Sequence, residues 1–469
     1  MSHTGRPRIV YLDPGDPAYV RLVRDTAEAF RLADVTPFLG AGISFEQPSQ
    51  LPMASALVSP LVDVLSRAAC QMYDEVGSSD AERLELDGVL AAARLERLLD
   101  MLHTTFGDEA LAYLSPLMGT CWNPNHAAIG ALARQGFLSR CITLNFDLLI
   151  EEASRVHGVS SRTTCPLVGK SFLTGSGPAS LNVVKPHGSF MPTARAEGPH
   201  PLLSATLSQV GSRPMPSNVK AIRACVQDSR TLVVAGYSDN DWDIFPILPR
   251  IQESLRRVIW IDYRSESDVR ARAAPWGNDP TFDALRDRVY PWMARLPCDS
   301  CILLGRARLF LCDILGELHI STESCRELPA SQSADARRFD PSGGCSDPRS
   351  LRTMVAFALL VQQRNCLSER LLFWLRRQVR RAKMLDLMAT VEDAIGHTKH
   401  TNRKLTTAVL CTRRARTLWR AIGESPKVAE LTLWLGLKQA NLEARLGCWG
   451  GPAGGAEVGR SPGSAGVAA

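Results

Sequence analysis

The stretch TPFLGAGISF, Thr36 to Phe45, decides how the rest of the chain is read. An apolar run ends in Gly-Ala-Gly, and a serine follows two residues on. A tight turn accounts for glycines at such a place, because they enter backbone conformations closed to other residues. So does a loop whose backbone must approach a phosphate closely, at a helix N-terminus where the dipole favours anions. The full six-residue dinucleotide fingerprint is absent, so these ten residues leave both readings open.

Upstream, Tyr19 to Ala33 (YVRLVRDTAEAFRLA) has apolar residues at helical spacing, and Val35 to Leu39 reads as a short buried strand. Downstream comes a long helical stretch containing ALVSPLVDVLSRAACQMY and ERLELDGVLAAARLERLLDMLH. A turn-like segment, Cys121 to His126, leads into another helix, AAIGALARQG. Apolar strand candidates then recur at CITLNF (141–146), LNVVKPH (181–187), TLVVAGY (231–237) and VIWIDY (258–263). Short apolar strands alternating with helices predict an α/β fold built on a parallel sheet, closed by a helix over GRARLFLCDILGELH (305–319).

Ser321 to Ser350 is rich in Ser, Asp, Arg, Pro and Gly and reads as a linker. Helices dominate beyond it. Leu371, Leu375, Val379 and Ala382 share one face, with Arg376, Arg377, Arg380 and Arg381 on the other. Leu431, Trp434, Leu435, Lys438 and Leu442 form a second stripe, along which the Lys438 stem is expected to lie. Residues 448–469 are rich in Gly, Ala and Ser and are expected to lack fixed structure.

The 469 residues are 45% hydrophobic and 22% charged, an ordinary globular balance. Neither a secretory signal nor a membrane-spanning run is evident, so a cytoplasmic protein is expected. Thirteen cysteines include one Cys-x-x-Cys pair, Cys298 and Cys301, without the second pair that a zinc ribbon requires. The net charge of +6 is uneven: Leu351 to Gly447 holds 18 Lys+Arg against 7 Asp+Glu, which puts +11 there and −5 on the remainder. A solvated helical face accounts for this, and so does an acidic partner or nucleic acid.

Four motifs fall at or just after the strands. They are Gly40-Ala41-Gly42-Ile43-Ser44, Thr143-Leu144-Asn145-Phe146-Asp147, Lys185-Pro186-His187-Gly188-Ser189 and Gly236-Tyr237-Ser238-Asp239-Asn240-Asp241. An Asn and an Asp two apart at a strand's carboxyl end face the crevice where such folds bind ligands, although Asp147 also suits helix capping. A histidine at a strand end beside glycine suits a general base, and a structural histidine is the plainer alternative.

Taken in order, these four motifs resemble the Sir2 (sirtuin) superfamily, in particular its bacterial SIR2-like branch, over roughly Tyr19 to His319. Pro124-Asn125-His126 and the helix at 305–319 are similar to that branch as well. The resemblance implies a Rossmann-like sheet with a helical insertion, followed here by a mainly α-helical C-terminal domain. It implies NAD as substrate. Gly40, Ala41, Gly42 and Ser44 would lie at the pyrophosphate and its neighbourhood. Asn145 would sit beside the nicotinamide ribose, positioning a water or hydroxyl, with Asp147 next to it. His187 would be the general base. Gly236 and Ser238 would line the adenosine side, and Asp262 would hold the adenosine ribose.

Two departures separate the chain from sirtuin deacetylases, which resemble one another in carrying four zinc cysteines after the His-Gly motif. Here Ser189 to Ala235 holds only Cys225, and no zinc is expected. The Asp-Phe-Arg that usually follows the glycine loop is also missing; Glu46-Gln47-Pro48 stands there instead. Both favour an NAD glycohydrolase over the alternatives, a protein deacylase and a non-catalytic NAD or ADP-ribose sensor. SIR2-like proteins with an added domain resemble anti-phage effectors, so the basic helices are the expected element for self-association, sensing or a partner chain. The expected division is an extension (1–18), a catalytic domain (19–320), a linker (321–350), a helical domain (351–447) and a tail (448–469).

Overall fold

The computed structural model describes residues 7–119, 121–167, 169–190, 215–238, 243–270, 288–296, 298–322, 347–362, 364 and 366–447. The chain divides into two compact units, one comprising Met1–Ala68 and Asp87–Ser342, the other Ala69–Leu86 and Gly343–Ala469.

The first unit is built on nine strands: β1 (Arg8–Tyr11), β2 (Val35–Leu39), β3 (Arg140–Thr143), β4 (Val159–Cys165), β5 (Lys170–Thr174), β6 (Ala179–Val184), β7 (Thr231–Ala235), β8 (Arg257–Asp262) and β9 (Asp299–Leu304). Their order across the sheet is β1-β9-β8-β7-β2-β3-β6-β4-β5. Every neighbouring pair is parallel except β4 with β5. From β2 the chain proceeds to β3 on one side and later returns to β7 on the other. The β2/β7 boundary is therefore the switch point, where open α/β sheets leave a crevice above the strand ends.

The central strands are buried on both faces, and their side chains alternate between two cores. Val35, Leu39, Val233 and Ala235 enter one, with α1 (Pro17–Arg31) and α5 (Pro124–Arg134) supplying Phe30, Ala27, Ile129 and Leu132. Phe38, Leu232, Val234 and Trp260 enter the other, with Ile222 and Val226 from α7 (Pro216–Val226). Pro37 lies inside a central strand although it cannot donate to a ladder. Its place is tolerable because the β2–β3 register begins only at Phe38. Cys298 packs against one core and Cys301 sits in the other, so this pair straddles the sheet.

The helical insertion after β2 consists of α2 (Ala54–Val76), α3 (Asp80–Ala91) and α4 (Leu95–Phe106). α6 (Leu149–Val156) follows β3, and α8 (Ala307–Glu317) follows β9. Arg8–Tyr11, expected from the sequence to belong to an N-terminal extension, is an edge strand of the sheet, paired in register with Cys301–Leu304.

The second unit contains α9 (Pro348–Leu360), α10 (Cys366–Arg381), α11 (Leu385–Thr401), α12 (Leu405–Ile422) and α13 (Ser425–Gly447). Pro348 to Ser350, at the end of the expected linker, is instead the first turn of α9, capped by the Asp347 carboxylate on the Ser350 amide at 3.1 Å. Residues 323–346 of that expected linker, and the expected tail at 448–469, lie outside the described residues. Leu371, Leu375 and Val379 are fully buried, while Ala382, just past the helix, is exposed. Arg376 reaches Glu392 at 2.6 Å. Lys438 is buried along with Leu431 and Leu435 of its stripe: it is 1% exposed, and its ammonium donates to Thr412 Oγ1 at 2.8 Å. Among the described residues no helix is long and apolar enough to cross a membrane.

Candidate active site at the carboxyl ends of the strands

The glycine loop follows β2 and packs directly on the loop after β7. A Cβ on Gly40 would stand 2.4 Å from the Gly236 carbonyl oxygen, and one on Gly236, at φ +64°, would stand 2.4 Å from the Ile43 nitrogen. The Gly40 amide donates to Ala235 O and the Gly42 amide to Gly236 O, both at 2.9 Å. The glycines therefore serve a backbone-on-backbone contact at the switch point, and these two amides are engaged there. Ala41 is exposed at the loop's tip.

α5 clamps this loop from behind. Asn123 caps α5 through its side-chain oxygen. Its Nδ2, with two hydrogens to share, lies 2.7 Å from Ile43 O, 3.1 Å from Glu46 O and 2.7 Å from Ser49 Oγ, and Asn125 Nδ2 adds a bond to Ile43 O at 3.0 Å. His126 completes the clamp. The Asn123 amide donates to its Nδ1, so Nε2 carries the proton and donates to Ser44 Oγ at 3.0 Å. Burial first, and Lys185 second, push His126 down to about 3, which keeps the ring neutral.

Ser44 is the hub. Besides the His126 bond, its hydroxyl accepts from Asn145 Nδ2 at 3.0 Å and donates to Asp147 Oδ2 at 3.0 Å. One donor and two acceptors exhaust a hydroxyl. Ser44, expected from the sequence at the phosphate, is thus committed to holding Asn145. Asp147 is likewise committed, its other oxygen accepting the Leu149 amide at 3.0 Å at the start of α6. Burial raises its carboxyl, against the pull of Lys185 and these hydrogen bonds. Asn145 itself is different: Oδ1 is buried without a hydrogen-bond partner. Asn145 stands just after β3, at the strand's carboxyl end, and its bond to Ser44 fixes the orientation of its amide.

The loops after β3 and β6 are stitched together. Lys185, 1% exposed, bonds Asp147 O and Ser189 Oγ and pairs with the fully buried Glu151 at 3.1 Å. Glu151 also accepts from Thr163 Oγ1 at 2.7 Å, and the Phe190 amide donates to Phe146 O at 3.1 Å. His187 is buried, and its Nε2 lies 3.3 and 3.2 Å from the two oxygens of Asp243. Asp243 stands two residues beyond the motif quoted from the sequence, and its partner is 56 residues away, so nothing local marks it.

The adenosine-side expectations are less tightly drawn together. Ser238 is exposed, and Asp239, Asn240 and Asp241 lie outside the described residues. Asp262 ends β8 as expected, but its carboxylate meets Arg264 at 3.0 Å. Among the described residues no group of three His, Cys, Asp or Glu is placed to hold a metal ion; most of the interval from Ser189 to Ala235 lies outside them.

A doubly wound, mainly parallel sheet with polar side chains gathered above its strand ends is a Rossmann-like fold. Residues 139–281 match the family model described as the SIR2-like domain. Two solved structures are similar. One, from work on the mechanism and regulation of Sir2 enzymes, is 17% identical, covering 63% of this chain and 96% of its own with a TM-score of 0.34. The other, a Sir2 homolog–NAD complex, is 16% identical, covering 68% and 98% with a TM-score of 0.36. No curated protein matches.

Proposed function

We propose that this protein is an NAD+ glycohydrolase that releases nicotinamide and ADP-ribose, and that it acts as a regulated effector of bacterial anti-phage defence by depleting NAD. The observation that carries the reading is Asn145, whose Nδ2 is locked on Ser44 while its buried Oδ1 has no partner. A buried acceptor left open carries a desolvation cost of about 1–3 kcal/mol, which a ribose hydroxyl or a water relieves.

In this reading NAD is the substrate and no zinc is required. The exposed loop tip at Ala41 lies toward the phosphates, and Gly236, Ser238 and Asp262 lie on the adenosine side. The bond from C1′ of the ribose to the nicotinamide nitrogen breaks, and the bonding pair leaves with nicotinamide. The cation-like ribosyl centre is met by water on the face that Asn145 orients. His187 takes the water's proton and passes it to solvent, so NAD+ and water give nicotinamide, ADP-ribose and one proton. Binding of the remote phosphates and adenosine supplies the positioning that this cleavage needs. The basic second unit is assigned sensing of the trigger or assembly of copies; Leu433, Trp434 and Leu437 on α13 are exposed apolar residues that suit assembly.

The test is nicotinamide release from NAD by the full chain, with and without cell lysate as a source of trigger. Asn145→Ala and His187→Ala are expected to lower it by about 10²-fold or more with unchanged circular dichroism. Release that survives in Asn145→Ala places the chemistry elsewhere. Release that needs an acetylated peptide makes the protein a deacylase.

A further inference from the structure

We propose that Asp243 is the positioning residue of this site: it holds His187 as the Nε2–H tautomer, so that Nδ1 is the nitrogen that takes up a proton. The step it serves belongs to the hydrolase reading above, on which this role rests.

The contact fixes the proton's place. An ionised carboxylate only accepts, and His187 Nε2 faces both Asp243 oxygens at 3.3 and 3.2 Å. The proton in that contact therefore belongs to the ring, and a neutral imidazole then keeps its lone pair on Nδ1. The backbone of His187 is fixed separately. Gly188, at φ +85°, closes a tight turn by donating its amide to Lys185 O at 3.0 Å. The turn holds the residue, and Asp243 holds the ring.

The position of Asp243 is not that of a casual surface turn. β2 and β3 lie between β7 and β6 in the sheet, so the two loops start roughly 14 Å apart at ordinary strand spacing. Asp243, eight residues after β7, nonetheless meets His187, three residues after β6. The arriving segment is anchored: Ile244 and Ile247 are fully buried in the core, and the Ile247 amide donates to Ile244 O at 2.8 Å. Asp243 is 2% exposed, and a carboxylate taken out of water requires a partner of this kind.

The arrangement also suits the proton balance. As the water oxygen bonds to C1′, its O–H bond breaks and the proton goes to Nδ1. The resulting imidazolium keeps its other N–H on Asp243, which offsets the new charge until the Nδ1 proton passes to solvent. A base oriented by a carboxylate is the arrangement by which enzymes hold a histidine in one tautomer.

The experiment combines ring spectroscopy with kinetics on the full chain. Protein labelled with ¹⁵N at histidine, with His187 assigned by difference from His187→Gln, reports which ring nitrogen carries the proton at a pH where the ring is neutral. The wild type is expected to show Nε2–H, and Asp243→Asn to lose that preference. For nicotinamide release, Asp243→Asn is expected to lower kcat about 10²-fold with KM within about threefold, and Asp243→Glu to recover kcat to within about tenfold of wild type. An Nδ1–H wild type overturns the proposal. So does a tautomer and kcat unchanged in Asp243→Asn, and so does equal loss of folding in the Asn and Glu variants, which would make the contact a stability device alone. A wild type that releases no nicotinamide, yet whose Nε2–H signature vanishes in Asp243→Asn, overturns the hydrolase reading and leaves the hold of Asp243 on the ring standing.

Discussion

Lys185 gives the sharpest prediction about what keeps the candidate site in register. Its ammonium is 1% exposed and meets Glu151 Oε1 at 3.1 Å, Ser189 Oγ at 3.2 Å and the Asp147 carbonyl. Lys185→Met keeps the volume but strands the fully buried Glu151 with only the Thr163 hydroxyl. Breaking one side of a buried pair costs about 3–5 kcal/mol, because the charge left behind is uncompensated. At about 2.1 cal/mol/K per residue, 1 kcal/mol corresponds to roughly 1.5 °C in Tm for a unit of this size, so the first unit's transition is expected to fall by about 4–7 °C. Lys185→Met with Glu151→Leu removes both charges of the pair and leaves two neutral groups, Asp147 O and the Thr163 hydroxyl, without those partners, while the Ser189 hydroxyl still donates to Phe146 O at 3.3 Å. The double variant is therefore expected to be at least about 2 kcal/mol more stable than the single one, while nicotinamide release stays low because the loops carrying Asn145 and His187 have lost the Lys185 tie. Urea unfolding of wild type, single and double variants measures this. A double variant no more stable than Lys185→Met refutes the reasoning, since the loss would then come from the broken loop ties and not from the stranded charge.

Gly40→Ala is expected to destabilise by about 1–3 kcal/mol, because its Cβ would stand 2.4 Å from Gly236 O and 2.7 Å from Tyr237 Cα, both backbone atoms. Gly316→Ala, in α8 with no atom within 4 Å of the added carbon, is the control and is expected to be neutral or stabilising in the same thermal melt. His126 predicts an acid-side dependence. Its folded value is pushed down to about 3, whereas in the unfolded chain it titrates near 6.5, so its contribution is present above pH 6.5 and is lost as pH falls from 6.5 toward 3. Between pH 7 and pH 5 the wild type should lose about 2 kcal/mol more than His126→Gln; equal losses in urea titrations at the two pH values would show that His126 protonates freely in the folded state.

The parts of this protein that the sequence discloses share one physical property: they are determined by local pattern. β2, β7 and β8 are runs of aliphatic and aromatic residues buried on both faces, and such runs stand out whatever they pair with. β4 escaped because its inward positions are Ser161, Thr163 and Cys165, which bury well but do not look apolar in a sequence. β1 is four residues long and partly exposed, and it becomes a strand only through β9, some 290 residues away. The same division runs through the site. Gly40, Asn145, His187 and Gly236 were legible because each closes a visible strand. The contacts that orient them were not: His126 is 82 residues from Ser44, Lys185 is 38 from Asp147, and Asp243 is 56 from His187. This has a chemical consequence. Groups that close a visible strand are marked by residue type and by the strand itself. Groups that orient them are chosen for a hydrogen-bond geometry that exists only after the sheet has brought distant loops together, and many residue types satisfy it. Ser44 marks the boundary between the two. Its motif pointed to a phosphate, yet one donated and two accepted bonds spend the hydroxyl on Asn145, Asp147 and His126, so its contribution to any ligand runs through Asn145.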